Sequence, residues 1–192
     1  LQELQAAMQR IAFQADRAGK VIKSVRDFVR RRSQTHDVIS AAELLDAVMP
    51  LVRLQASKLG VMVQVDTEPR LPPMVCDTTM IEQVLLNLAR NAMQSMEGVP
   101  PPQRRLTITA SWNEAAARVE FAVADQGCGI PDDVAQQLFT PFFTTKHEGM
   151  GLGLSMCRTV LEQHGGELRY RANQPCGTVF TFSLPVQDDL EN

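Results

Sequence analysis

Arg118-Val119-Glu120-Phe121-Ala122-Val123-Ala124 runs without a break into Asp125-Gln126-Gly127-Cys128-Gly129-Ile130-Pro131. The first seven residues read as a strand. The glycines that follow let the backbone turn sharply and come close to a neighbour or a ligand. Working outward, residues 106–112 read as a second strand, joined to the first by a short polar turn. Residues 131–138 predict a brief helix, and residues 139–149 have no clear period and read as a long loop. Residues 151–163 predict a helix stopped by Gly165-Gly166. Residues 167–172 and 178–184 then form a hairpin-like pair of strands. On the other side, Ser40-Ala41-Ala42-Glu43 is a capping box opening a helix to about Leu59, in which Pro50 is a point of possible kinking. Val61, Val63 and Val65 alternate with Met62, Gln64 and Asp66 and give a strand that ends before Pro69. Asp77 caps a helix running to about Met96, closed by Gly98-Val99-Pro100-Pro101-Pro102. Strands with helices gathered between them predict an α/β fold, a two-layer sandwich with a mixed sheet.

The N-terminal segment follows a different period. Leu1, Leu4, Met8, Ile11, Ala15, Ala18, Ile22, Val25 and Val29 recur in steps of three and four. This is the seam of a long coiled-coil or bundle helix. Such a narrow stripe calls for a partner helix, naturally supplied by a second copy in a homodimer; the alternative is a helix lying on its own domain's core. The expected organisation is a partial hairpin helix at 1–34, a linker at 35–39, a catalytic domain at 40–186 and an acidic, frayed tail at 187–192. The chain opens in mid-helix with no start signal, so a further N-terminal segment is expected.

Composition narrows the function classes. Of 192 residues, 44% are hydrophobic and 21% charged, ordinary for a globular protein. The net charge of −3 and a single short basic run, Arg30-Arg31-Arg32, argue against nucleic acid as the partner. No apolar stretch approaches the roughly 20 residues that cross a bilayer, so any membrane attachment is expected only through upstream segments. Cys76, Cys128, Cys157 and Cys176 form no close pair, which indicates neither a disulfide framework nor a zinc site and fits a cytoplasmic setting.

Three stretches carry chemistry. In Glu82-Gln83-Val84-Leu85-Leu86-Asn87-Leu88-Ala89-Arg90-Asn91-Ala92, Asn87 and Asn91 are four residues apart and share a helix face. Their carbonyl oxygens suit Mg²⁺, although two such amides alone can equally be partly exposed polar residues. Asp125, at the end of a strand, can accept a hydrogen from the exocyclic amine of adenine, whereas guanine presents an acceptor there; taken alone, this stretch is also an ordinary turn. Phe139-Thr140-Pro141-Phe142-Phe143-Thr144-Thr145-Lys146 leads to Gly149-Met150-Gly151-Leu152-Gly153-Leu154. Alternate glycines at a helix start can wrap backbone N–H groups round phosphates, and glycines beside clustered phenylalanines describe a mobile lid.

Taken in order, these stretches resemble the N, G1, F and G2 boxes of the histidine-kinase ATPase domain, in the superfamily that includes gyrase, Hsp90 and MutL. The resemblance extends through His164-Gly165-Gly166 and Gly177-Thr178 and covers roughly residues 40–185. It implies the Bergerat-type ATP-binding fold, with ATP and Mg²⁺ as cofactors. Asn91 would hold Mg²⁺, supported by Asn87. Asp125 would take the adenine amine, with Thr178 assisting. Gly127 and Gly129 would shape the pocket floor, and Gly149, Gly151 and Gly153 would cradle the triphosphate. The loop 139–147 would form the lid, with Ile130, Phe139, Thr145, Leu152 and Leu154 around the nucleotide. Arg90 and Lys146 are candidate phosphate contacts or else solvated charges; Lys146 joins the two Asn residues as a candidate for the catalytic set.

Hydrolases of this superfamily resemble one another in placing Glu one turn before the Mg²⁺ Asn, as base for water. Here that position is Asn87, whose amide cannot take a proton. ATP should therefore bind without efficient hydrolysis and await another nucleophile, as in a kinase. The segments Gln14–Ile22 and Arg26–Arg30 look like the second hairpin helix of sensor kinases of the nitrogen-fixation and dicarboxylate-sensing type. Those kinases carry the acceptor His on the first helix, but His36, His147 and His164 all lie outside the hairpin. The acceptor is expected upstream of Leu1, so this chain alone should not phosphorylate itself. The resemblance implies a response regulator as partner. The rival readings are a serine kinase of the same superfamily and a regulatory docking module that binds nucleotide without transfer.

Overall fold

The computed structural model describes residues 37–146 and 149–186 and, upstream of them, Gln5, Met8 and Gly19. The chain divides into two compact units. One comprises Leu1–Thr35 with Thr144–Met150, the other His36–Phe143 with Gly151–Asn192. In the first, Gln5, Met8 and Gly19 are helical and exposed; the rest of the heptad seam, and the acidic tail, lie outside the described residues. Among the described residues no helix is long and apolar enough to cross a membrane.

The second unit is built as β1 (Asp37–Ile39), α1 (Ala41–Leu59), β2 (Met62–Thr67), β3 (Met74–Cys76), α2 (Thr78–Ser95), β4 (Arg105–Asn113), β5 (Arg118–Ala124), α3 (Asp132–Ala135), α4 (Gly153–Gln163), β6 (Glu167–Ala172) and β7 (Thr178–Pro185), with a 3₁₀ turn at Pro101–Gln103. The main sheet has five strands in the order β2-β4-β5-β7-β6. β2 and β4 are parallel and the other pairs antiparallel, so the sheet is mixed as expected.

Local chemistry sets the helix boundaries. The Ser40 hydroxyl accepts the Glu43 N–H at 3.2 Å while the Glu43 carboxylate accepts the Ser40 N–H at 2.9 Å. That reciprocal pair satisfies two of the N–H groups every helix start leaves over. α1 continues through Pro50 as one helix and ends at Gly60 in the left-handed conformation, φ 63°. Asp77 caps α2 by accepting the Met80 N–H at 3.1 Å. The Arg104 guanidinium donates to the carbonyls of Leu59, Glu97 and Val99, tying the end of α1 to the loop after α2.

Alternation along β4 and β5 turns Leu106, Ile108, Val119, Phe121 and Val123 inward, all fully buried. α2 meets them with Ile81, Leu85, Leu88 and Ala89, and α1 contributes Leu44 and Val52. Phe121 pairs in register with Phe182 of β7, and their rings stack with centroids 4.9 Å apart. Full burial of each such side chain contributes about 1.5–3 kcal/mol.

The segment expected as a linker contains a strand. Asp37–Ile39 pairs antiparallel with Met74–Cys76 in a separate two-stranded sheet. Both strands are only three residues long, too short for alternation to announce them, and their pairing joins residues far apart in sequence.

Candidate nucleotide-binding site

Asn87, Asn91 and Ser95 lie one turn apart along the same line of α2, and all three are half-buried. At the C-terminal end of that line sits the turn after β5. A Cβ at Gly127 would collide with Ser95 Oγ and lie 2.6 Å from the Ser95 carbonyl oxygen, so only glycine lets this turn reach α2. At the N-terminal end, the Asn87 amide lies beside the thiol of Cys157 on α4. Asn87 Oδ1 also accepts from the exposed Arg90 guanidinium at 3.5 Å. Asn91 thus stands between the Asp125 turn and the first turns of α4.

Asp125 is 2% exposed, and with Thr178 it makes up the buried polar side chains of the described core. Its Oδ1 accepts the N–H of Gly127 at 2.8 Å and of Thr178 at 3.3 Å. Two N–H donors favour the ionised carboxylate at a depth where a bare charge would be expensive. The Asp125 backbone is bound as well. Its N–H donates to the Thr178 carbonyl at 2.9 Å, and its carbonyl accepts from Asn173 Nδ2 at 2.7 Å. Gly177, at φ 99°, packs so closely that a Cβ would collide with the Asp125 carbonyl and lie 2.9 Å from Gln126 Cα. The β6–β7 turn is therefore moulded onto the Asp125 turn. Asn173 and Gly177 were not among the expected site residues; a glycine directly before the strand that carries Thr178 was the available signal.

α1 and α2 begin with side-chain caps, but α4 begins without one: Leu152 stands at its N-cap with no side-chain hydrogen bond. Its first N–H groups are the kind that receive anions. A Cβ at Gly153 would meet nothing within 4 Å among the described residues, so space opens over the helix start. Gly151, at φ 66°, is confined by Phe142 and Phe143, and its carbonyl accepts the Phe142 N–H at 2.9 Å. Leu152 is buried, whereas Ile130 and Leu154 are half-buried.

Phe139 is held by packing. Its ring lies 6.2 Å from that of Tyr170, which is 6.3 Å from that of Phe180, and the Arg158 guanidinium sits 5.6 Å over Phe139. The aromatic contacts fix the start of the loop to β6 and β7. Thr145, Lys146 and Gly149 belong to the other unit. Within it, the Thr144 hydroxyl accepts the Lys146 N–H at 3.1 Å, Gly149 N–H donates to the Lys146 carbonyl at 3.1 Å, and Thr145 and Lys146 are exposed.

His164 is a further contact that the sequence did not foretell. Its Nε2 accepts the Asp77 N–H at 3.0 Å and its Nδ1 lies 2.7 Å from the Val160 carbonyl. An Nδ1–H tautomer satisfies both, and the ring latches the end of α4 to the cap of α2.

A buried carboxylate at a strand end, an uncapped helix start with open space and a line of amide oxygens between them fit an adenine nucleotide. The model of the histidine kinase-, DNA gyrase B- and HSP90-like ATPase family matches residues 76–188, more than half of the chain. The chain belongs to this family. Within it, the domain is of the histidine-kinase ATP-binding type, and it uses ATP. The catalytic domain of histidine kinase ThkA superimposes with a TM-score of 0.69 at 32% identity, covering 79% of this chain and 96% of that one. ThkA in complex with the response regulator protein TrrA gives 0.75 at 26% identity, covering 98% and 53%. Among curated proteins, the C4-dicarboxylate transport sensor protein DctS of Rhodobacter capsulatus is 39% identical over 97% of this chain and 28% of its own length. The sensor protein FixL of Bradyrhizobium diazoefficiens is 37% identical over 97% and 36%. The histidine-kinase ATP-binding domain and its N-terminal segment thus span about a third of these sensor proteins.

Proposed function

We propose that this chain is the catalytic portion of a two-component sensor kinase, binding Mg²⁺·ATP and passing the γ-phosphoryl group to a histidine supplied on another helix. The observation that carries this reading is the buried Asp125 carboxylate, held by two backbone N–H groups at the end of β5. An acceptor so placed and so desolvated matches an exocyclic amine, which selects adenine over guanine.

In this reading Gly127, Gly129, Ile130 and Thr178 enclose the base. Gly151, Leu152, Gly153 and Leu154 direct backbone N–H groups of the α4 start and its approach toward the phosphates, and Gly149 leads into them. Phe139 anchors the lid, Thr145 lies on it, and Lys146 and Arg90 approach the phosphate charge. Asn91 holds Mg²⁺, with Asn87 behind it. Among the described residues no group of three or more His, Cys, Asp or Glu side chains could hold a metal ion. An ion held by amide oxygens therefore needs the nucleotide's phosphates to complete its shell. When bound, Mg²⁺ supplies neutralisation of the phosphate charge. Asn87, engaged by Cys157 and Arg90, offers no base to activate water, so the phosphoryl group is kept for an incoming imidazole.

We further infer a homodimer through the N-terminal helix, on which the seam residue Met8 is 64% exposed, and a response regulator as the downstream partner. Incubating the chain with labelled ATP, Mg²⁺ and a hairpin bearing the acceptor histidine tests the reading. Label on the hairpin histidine is expected; rapid release of inorganic phosphate with an unlabelled hairpin would overturn it.

A further inference from the structure

We propose that Cys128 and Cys176 form a reversible disulfide across the two turns that enclose the base end of the nucleotide site. The proposal rests on that site's reading and concerns its regulation.

Both thiols are exposed and free, one on each of two loops in backbone contact. Cys128 follows Gly127 in the turn after β5, and Cys176 precedes Gly177 in the β6–β7 turn. Cys176 Sγ already lies 3.7 Å from the Gln126 carbonyl, two residues before Cys128 in the opposite loop. A Cβ at Gly129 would be 3.6 Å from the Gly177 carbonyl, and one at Gly177 would be 2.9 Å from Gln126 Cα. Each cysteine is therefore one residue from a place where the two backbones touch. A disulfide needs Cα atoms about 4.4–6.8 Å apart, and the contacts at Gln126 and Gly129, on either side of Cys128, with Cys176 and Gly177 bring the two loops close enough for the bond to be tested. The other two cysteines are unsuited to the chemistry. Cys76 and Cys157 are buried, and burial pushes both thiols up to about 12, away from the reactive thiolate.

The step balances with a peroxide as oxidant. One thiolate attacks the O–O bond of hydrogen peroxide, giving a sulfenic acid and releasing one water once protons are counted. The second thiolate attacks that sulfur, the S–S bond forms and the S–O bond breaks, and a second water leaves. Two thiols and one peroxide thus yield one disulfide and two waters, and an external dithiol reverses the change.

Closing the bond redirects both sulfurs, which now face the separate carbonyls of Gly129 and Gln126. It shifts the two turns that carry the Gly127 and Thr178 N–H donors to Asp125. Affinity for an adenine nucleotide should then fall by about tenfold, the effect of one impaired charge-assisted hydrogen bond.

The test treats the full chain with hydrogen peroxide, caps residual thiols, and maps peptides alongside titration with a non-hydrolysable ATP analogue. A linked Cys128–Cys176 peptide, two hydrogens lighter than its parts, should appear together with the weakened affinity, and dithiothreitol should reverse both. Cys128→Ser and Cys176→Ser should each bind the analogue as the reduced chain does and lose the response to peroxide. Free thiols after oxidation, sulfinic acids, bridges between chains, or a linked peptide with unchanged affinity would each overturn the proposal. A reduced chain that failed to bind the analogue would instead refute the nucleotide-site reading, since peptide mapping decides the disulfide without nucleotide.

Discussion

The N–H of Thr178 donates to Asp125 Oδ1 at 3.3 Å, joining the end of β5 to the start of β7 through a side chain and not only through the strand ladder. The same oxygen accepts from Gly127. Asp125 is thus a structural pin and a recognition group at once. Asp125→Asn keeps a carbonyl oxygen for the two N–H groups but removes the charge and adds donors. ATP-analogue binding should weaken by about 1.5–3 kcal/mol, the worth of a hydrogen bond to a charged group, while the melting temperature moves little. Calorimetric titration checks this; an unchanged dissociation constant would remove Asp125 from the adenine contact.

Asn91 lies on α2 between the Asp125 turn and α4. Asn91→Ala, and Asn91→Asp as a second variant, should abolish phosphoryl transfer to a supplied hairpin histidine. Binding of the nucleotide measured without Mg²⁺ should stay near that of the parent chain, because the lost group serves the ion. Transfer assays paired with metal-free titration separate the two effects. Retained transfer would contradict the assignment.

The His164 latch predicts a stability effect far from the nucleotide. His164→Ala leaves the partly buried Asp77 N–H without its acceptor, which costs about 1–3 kcal/mol. Urea unfolding should show the midpoint falling with an unchanged slope. A loss below about 0.5 kcal/mol, the usual scatter of surface substitutions, would show the latch to be dispensable.

Alkaline pH should act through the buried thiols. Burial raises Cys157 from 9.0 to about 12. In the unfolded chain the thiol ionises above its ordinary value, while in the folded chain it stays neutral. The stability it contributes is therefore complete below pH 9.0 and is lost progressively as pH climbs toward about 12. Cys157→Ala should flatten that alkaline decline in unfolding free energy. Cys76, raised to about 12 by the same cause, accounts for a second share. An equally steep decline in the double alanine variant would refute this origin.

Much of the fold was legible because its signals are local. Ser40 and Glu43 are three residues apart, and the alternation of Val63 and Val65 with Gln64 and Asp66 belongs to one strand. Glycine marks the end of α4, where a Cβ at Gly166 would collide with the Ser183 carbonyl. The order of the motifs was legible for the same reason: each is a short stretch within one helix, one turn or one loop. What escaped depends on distant partners. Asp37–Ile39 is a strand only because Met74–Cys76 lies beside it. Asn173 reaches Asp125 across 48 positions, and His164 reaches Asp77 across 87. The packing that holds Phe139 was hidden as well, because Tyr170 and Arg158, which pack against it, come from other elements. No period or spacing within one segment encodes such contacts.

Equilibrium binding of a non-hydrolysable ATP analogue, measured with Mg²⁺ and again with the ion chelated, tests the central claim most directly. Saturable binding that weakens on chelation, with a guanine analogue excluded under both conditions, is the predicted result. Indifference to the adenine nucleotide in the presence of Mg²⁺ would contradict the account.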